Sequence, residues 1–207
     1  QPPQYAHLPM ILGPDKSKLS KRHGATSLLE YRDQGYLPEA MFNFLALLGW
    51  SPGDNREIMT REEIIHEFLL ENVQKSGAVF NVEKLDWMDG EYIRNMPIDE
   101  LAKLCAQYLP KGNSEYIKRI VALEQSRMKK LSQIGESTEF FFKDKLEYSK
   151  ELLRWKGAAD AEIKKTLDKL EKLLNDISEK DYMKEKLEAM IMPKAEEWGK
   201  QGGKIDR

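Results

Sequence analysis

Five consecutive residues, Lys18-Leu19-Ser20-Lys21-Arg22, place three cations and a hydroxyl side by side. They follow the turn chemistry of Gly13-Pro14-Asp15 and precede Gly24. Pro fixes φ at such a turn and Gly admits unusual φ, so the basic stretch reads as an exposed loop. A cationic loop of this kind can hold a triphosphate and follow charge as it builds on leaving pyrophosphate. A P-loop does this work with backbone N–H groups, whereas this loop would use side chains. As bare chemistry the pattern fits a solvated surface loop better, because basic surface loops are common.

Other chemistry is sparse. His7, His23 and His66 are scattered and Cys105 is alone, so no spacing suggests a metal site. No G-x-x-x-x-G-K-[ST], G-x-G-x-x-G or G-x-S-x-G pattern occurs. A single cysteine excludes an internal disulfide and suits a reducing compartment. No apolar run approaches the ~20 residues that span a bilayer. The chain opens Gln1-Pro2-Pro3-Gln4 without an initiator Met or a signal-like segment, which suggests a fragment of a longer protein.

Of the 207 residues, 41% are hydrophobic and 33% charged, enough for a core under a heavily charged surface. That composition excludes a disordered tail, a collagen-like chain and a disulfide scaffold. The net charge of -2 hides a gradient. Lys/Arg against Asp/Glu count four to two in residues 1–30, seven to fourteen in 31–110, and 22 to 19 in 111–207. Any RNA contact should therefore come through the two ends rather than the acidic middle.

The elements that must position these groups are mostly helices. One short strand-like run, His7 to Leu12, leads into the turn. Ser27…Glu30 and Thr60…Glu63 have capping-box spacing, the second opening a helix through about Leu70. Gly35 and Gly49 are placed to stop helices, and Pro38 to start one that is apolar on most sides. A further helix is expected over Val82–Arg94, then a boundary at Met96-Pro97, with Asp99 capping Glu100–Leu109. Ser114 should begin one long amphipathic helix to Ile134, with Ile117, Ile120, Val121, Met128 and Leu131 on its apolar face. Residues 160–177 repeat apolar positions by four and three over only two heptads, which fits a bundle helix better than a coiled coil. Phe140-Phe141-Phe142 reads as core rather than as a stacking platform. Pro193 should kink or interrupt a helix begun near Asp181, and Trp198 to Lys204 reads as a flexible basic tail.

The basic stretch closely resembles the K-M-S-K-S-type signature of class I aminoacyl-tRNA synthetases. Its Lys-Leu-Ser-Lys-Arg spelling before His23-Gly24-Ala25 is similar to the glutamyl-tRNA synthetase version. So are His7-Leu8-Pro9 with Leu12-Gly13-Pro14-Asp15, Tyr31 to Ala40, Leu48-Gly49-Trp50-Ser51, and Phe80-Asn81…Lys84-Leu85…Trp87-Met88. The likeness is dense over residues 5–95 and looser beyond.

That resemblance implies a mainly α fold in three parts. Residues 1–27 would end a catalytic domain, 28–95 form a helical stem-contact segment, and 96–207 form an anticodon-binding bundle truncated at its end. It implies ATP-dependent formation of glutamyl-adenylate and transfer to tRNA, with Mg2+ at the full-length active site. Lys21 would contact ATP, Lys18 and Arg22 would add charge, Ser20 would shape the loop, and Leu19 would anchor it. Arg127 matches a basic position that reads the anticodon in some members, with Lys129 and Lys130 on phosphates. A planar guanidinium suits that task. Arg at that position goes with glutamate-only charging. No His-x-Gly-His element occurs, so the chain alone should not form adenylate. The expected setting is a cytoplasmic monomer whose partners are glutamate tRNA, ATP and L-glutamate. The rival from another class is a non-catalytic, synthetase-derived helical module that binds RNA or protein. A base-modifying paralogue without an anticodon domain is disfavoured by the helical residues 96–207.

Overall fold

In the computed structural model, which describes residues 3, 5–24, 27–154 and 159–202, the chain is mainly α. Ala25 of the signature and Gly203-Lys204 of the basic tail lie outside the described residues. The strand-like leader reduces to β1 (Ile11–Leu12), which pairs in parallel with β2 (Ala78–Val79). Leu12 also bridges antiparallel to Lys18, closing a tight hairpin over the turn.

Helix α1 (Leu28–Asp33) starts at the expected capping box: Ser27 accepts from Leu29 N–H and Glu30 accepts from Ser27 N–H. Gly35 ends the turn beyond it at φ +89°, a conformation that costs an L side chain. Helix α2 (Pro38–Leu47) has Pro at its first position and α3 (Arg61–Glu67) opens on the Thr60–Glu63 box. Helix α3 stops earlier than its spacing suggests, at an extended Phe68. The apolar surround of α2 is only partly covered, since Phe42 and Leu45 remain exposed. Helix α4 (Val82–Asn95) is capped by Asn81, whose side chain accepts from Lys84 N–H.

Later expectations need correction as well. Helix α5 (Ile98–Cys105) is entered from Pro97, so Asp99 lies inside its first turn instead of capping it. The long helix from Ser114 breaks: α6 (Ser114–Glu124) ends, and α7 (Gln133–Thr138) starts after an irregular stretch. Tertiary hydrogen bonds explain the break. Leu131 N–H donates to Gly35 C=O at 2.9 Å, and the Gln133 side-chain oxygen Oε1 accepts from Lys129 and Lys130 N–H at 2.8 and 3.3 Å. Donors spent on these partners cannot extend a helical ladder. The side chains assigned to the apolar face are nonetheless all buried. Phe142 packs on that core while Phe140 stays exposed.

The chain forms two compact units, residues 1–144 and 145–207. In the first, Leu37, Ala40, Ile93, Leu101, Cys105, Val121, Met128 and Ile134 share one core, so residues on both sides of Met96 are buried together. Burial pushes the Cys105 thiol up to about 12. A second cluster, built on Tyr31, Tyr36, Met41, Phe44, Phe80, Leu85 and Met88, also receives Leu19. In the second unit, α8 (Asp160–Asn175) and α9 (Lys184–Gly202) follow each other, with Ile163 and Ile177 buried. Helix α9 runs through Pro193 and takes Trp198–Gly202 into its last turns, where the sequence suggested a break and a loop.

Candidate functional site

The signature loop is a braced hairpin. Gly13 N–H donates to Ser17 C=O at 2.8 Å, and Lys16 N–H to Gly13 C=O at 2.9 Å. Lys16 then adopts φ +61°, the left-handed step that short hairpin loops use to rejoin their strands. Leu19 N–H donates to Ile11 C=O at 3.1 Å while its side chain packs on the second core cluster. The cations on either side of Leu19 are thereby held outward.

His23 organises the interior of this loop, a role the sequence reading did not assign. Its Nδ1 accepts from Ser20 N–H at 3.1 Å, so Nε2 carries the proton and faces Asp15 Oδ1 at 3.3 Å. Arg22 Nε donates to Ser20 Oγ at 3.3 Å. The Asp15 carboxyl accepts Ser17 N–H at 2.9 Å, and that bond, helped by His23, lowers it to about 2. A Cβ on Gly13 would lie 2.8 Å from the His23 ring, so glycine is what admits the imidazole. The available signal was the three-residue spacing of Ser20 and His23, which is that of a capping pair.

Lys16, Lys18, Lys21 and Arg22 are all exposed, and among the described residues none faces a carboxylate. Elsewhere in the first unit, cations are mostly neutralised. Arg56 pairs with Asp54 and Glu67 at 2.6 Å each, Lys84 with Glu57 at 2.6 Å, and Arg94 with Glu91 at 2.5 Å. The loop thus sets four exposed cations without a carboxylate partner within seven residues, where an anionic ligand would meet little internal competition.

The second group of predicted residues lies at the broken helix. Arg127 occupies the turn just past α6, 76% exposed, with Nη1 3.4 Å from Glu124. It lines a cleft of about 420 Å³ together with Glu124, Met128, Gln133, Glu136 and Ser137. Lys129 is exposed. Lys130 is turned inward: its Nζ lies 3.3 Å from Tyr36 Oη, 3.5 Å from Asp86 and 5.0 Å above the Tyr36 ring. Its neighbour Asp89, on α4, is fully buried and accepts Leu37 N–H at 2.9 Å through one oxygen. Burial lifts this carboxyl to about 7, with Asp86 adding to the rise. The structure does not bring Arg127 and Lys130 to one surface.

Family comparisons assign both halves of this arrangement. A sequence model described as "tRNA synthetases class I (E and Q), catalytic domain" matches residues 1–87, and one described as "Anticodon binding domain" matches residues 100–205. The chain belongs to the glutamyl-tRNA synthetase family. It is 51% identical over 156 residues to the glutamate–tRNA ligase of Dehalococcoides mccartyi, covering 71% of this chain and 32% of that protein. To glutamate–tRNA ligase 2 of Caldicellulosiruptor saccharolyticus it is 38% identical over 203 residues, covering 94% of this chain and 41% of the relative. A crystal structure of a glutamate tRNA ligase from Elizabethkingia meningosepticum, in complex with its amino acid, superposes with TM-score 0.73 at 28% identity. That match covers 94% of this chain and 43% of the other. The chain spans about a third of the length of the first curated relatives it matches. The loop of residues 18–22 stands within the catalytic-domain match, and Arg127 stands within the anticodon-domain match.

Proposed function

We propose that this chain supplies the ATP-contacting signature loop and the tRNA-contacting half of a glutamate–tRNA ligase. The observation that carries the reading is the loop's set of exposed cations without carboxylate partners, held on a hairpin by His23, Asp15 and Leu19. ATP supplies the adenylyl group: the glutamate carboxylate bonds to the α-phosphorus as the bond to the β-phosphate breaks and pyrophosphate leaves. Lys21, with Lys18 and Arg22 beside it, stabilises the negative charge that grows on pyrophosphate as it departs. Ser20 keeps the loop in shape through its N–H to His23 and its hydroxyl to Arg22.

The division of labour is a terminal catalytic piece over 1–27, a stem-contact segment over 28–95, and an anticodon-binding segment over 96–207. The internally paired cations of residues 31–95 support a mainly structural role for the stem-contact segment. Arg127 reads an anticodon base and Lys129 meets phosphate. Lys130 serves chiefly as an internal brace, given its contacts with Tyr36 and Asp86. The partners are glutamate tRNA, ATP and L-glutamate, Mg2+ accompanies ATP, and the enzyme works as a cytoplasmic monomer restricted to glutamate tRNA. Without a His-x-Gly-His element, this chain by itself forms no adenylate.

Pyrophosphate exchange in a full-length enzyme carrying this sequence tests the loop. Lys21→Ala is expected to slow exchange by about 100-fold or more, the usual loss when one transition-state donor is removed. An exchange rate within about twofold of the parent would sink the assignment. For Arg127, exchange to Gln is expected to admit glutamine tRNA as a substrate. Unchanged discrimination between the two tRNAs would remove Arg127 from the reading.

A further inference from the structure

Lys21 and Arg22 belong to one turn of 3₁₀ helix, Lys21–His23, whose two ends are tied to each other. His23 N–H donates to Ser20 C=O at 2.9 Å, and the His23 ring reaches back to accept Ser20 N–H at 3.1 Å. The two cations lie between those ends, so closing the pair fixes their φ and ψ. Their side chains are tied through the same nitrogen. Ser20 Oγ accepts from Arg22 Nε at 3.3 Å and lies 3.3 Å from His23 Nδ1, which takes the hydroxyl proton. The ring is anchored in turn. Its side chain is only 10% exposed, lies against Gly13 and turns Nε2 to Asp15. Asp15 stays ionised at neutral pH, because Ser17 N–H and His23 lower it to about 2. Lys18 stands outside this arrangement, its backbone paired with Leu12 across the hairpin.

We propose that His23, oriented by Asp15, is the positioning residue that aims Lys21 and Arg22 at the pyrophosphate leaving ATP. This rests on the ATP-contacting role given to the loop above. The residue type carries the argument as much as the geometry does. The chain's other capping boxes place a glutamate at the third position, Glu30 and Glu63. A carboxylate at position 23 would make the same reciprocal bond but would also pair with the cations it positions. An imidazole accepting at Nδ1 closes the turn without adding negative charge. Removing the ring leaves every cation of the loop in place, so ATP is still attracted. What is lost is the fixed direction of two side chains as charge moves onto pyrophosphate. An interaction realised in the transition state shows in kcat rather than in KM. Misplacement by about 1 Å can cost about 100-fold there.

The test is pyrophosphate exchange by a full-length enzyme carrying this sequence, with kcat and the KM for ATP read separately. His23→Ala is expected to lower kcat about 30-fold while KM stays within about threefold of the parent. His23→Gln, a neutral acceptor of the kind capping boxes use, should recover most of the loss. His23→Phe, which fills the ring's space without an acceptor, should recover none of it. A double-mutant cycle then locates the effect. Combined with Lys21→Ala, the His23 change should cost several-fold less than it does alone, whereas with Lys18→Ala it should keep its full cost. The proposal is overturned if His23→Ala changes kcat by less than about twofold, or if the loss falls on KM instead. It is equally overturned if Phe rescues as well as Gln, or if the losses at His23 and Lys21 multiply as those at His23 and Lys18 do. Full-rate exchange by Lys21→Ala alone would overturn the ATP-contacting role together with the proposal, which keeps the two failures apart.

Discussion

The signature loop and the Arg127 turn are both irregular, exposed and charged, yet they are held in opposite ways. Apart from the Leu19 side chain in the second core cluster, residues 13–23 are tied by polar partners within ten positions: Gly13 with Ser17, Asp15 with Ser17 and His23, Ser20 with His23. Residues 127–133 are fixed by partners about a hundred positions away, as Ser132 Oγ donates to Gln34 C=O at 2.7 Å and Leu131 N–H to Gly35 C=O. A locally tied loop can rearrange around a triphosphate without disturbing the rest of the fold. A turn bolted to a distant segment keeps its side chains at set positions, which suits the reading of one base against another.

Mutations can break or sharpen this contrast. Ile134, fully buried in the shared core, should cost about 4 kcal/mol of unfolding free energy when changed to Ala, read by denaturant melts. Gly35→Ala should follow at about 3 kcal/mol: its φ of +89° strains an L residue, and the new Cβ would stand 2.6 Å from Ser132 N. Stability within about 1 kcal/mol of the parent would show that the turn is not bolted down.

Asp89 gives the next effect, through pH. Its carboxyl titrates near 7 when folded and near 3.8 when unfolded, so the folded chain binds the extra proton between those values. Stability from this group is complete below about pH 4 and falls as pH rises through 7. Asp89→Asn should remove that slope and stabilise the protein by about 2 kcal/mol at pH 8, allowing for residual solvation. Parallel stability–pH curves for the two proteins would refute it. Smallest of all, Gly13→Ala should displace the His23 ring yet change global stability by less than about 0.5 kcal/mol. Its mark should appear in amide hydrogen exchange, with Gly13 and Leu19 N–H exchanging about tenfold faster. If it lowers the melting temperature as far as Gly35→Ala does, the loop belongs to the cooperative core and the contrast fails.

What could be read in the sequence follows the same divide. The boxes at Ser27–Glu30 and Thr60–Glu63, the stop at Gly35 and the buried face at Ile117, Ile120 and Val121 depend on neighbours three or four positions apart. Periodicity and capping spacing report such neighbours directly. The break between α6 and α7 is set by Gly35 and by Gln133, and no periodic signal marks a donor taken by a residue a hundred positions away. The inward turn of Lys130 onto Tyr36 is hidden for the same reason, since its charge looks like any other on an exposed face. Pro193 misled in the other direction, because a helix can lose one N–H and continue. His23 was within reach, being a local partner of Ser20, but a lone histidine among lysines gives no metal or catalytic spacing to catch the eye.

Cys105 turns this architecture into something that can be timed. The only thiol of the chain lies sealed between α5 and the segments packed on it, with its proton held far above neutral pH. An alkylating reagent therefore sees it only in molecules whose first unit has opened, and the labelling rate becomes a clock for that opening under native conditions. Substitutions at the signature loop should leave the clock running at its parental pace, whereas those at Gly35 should make it run fast.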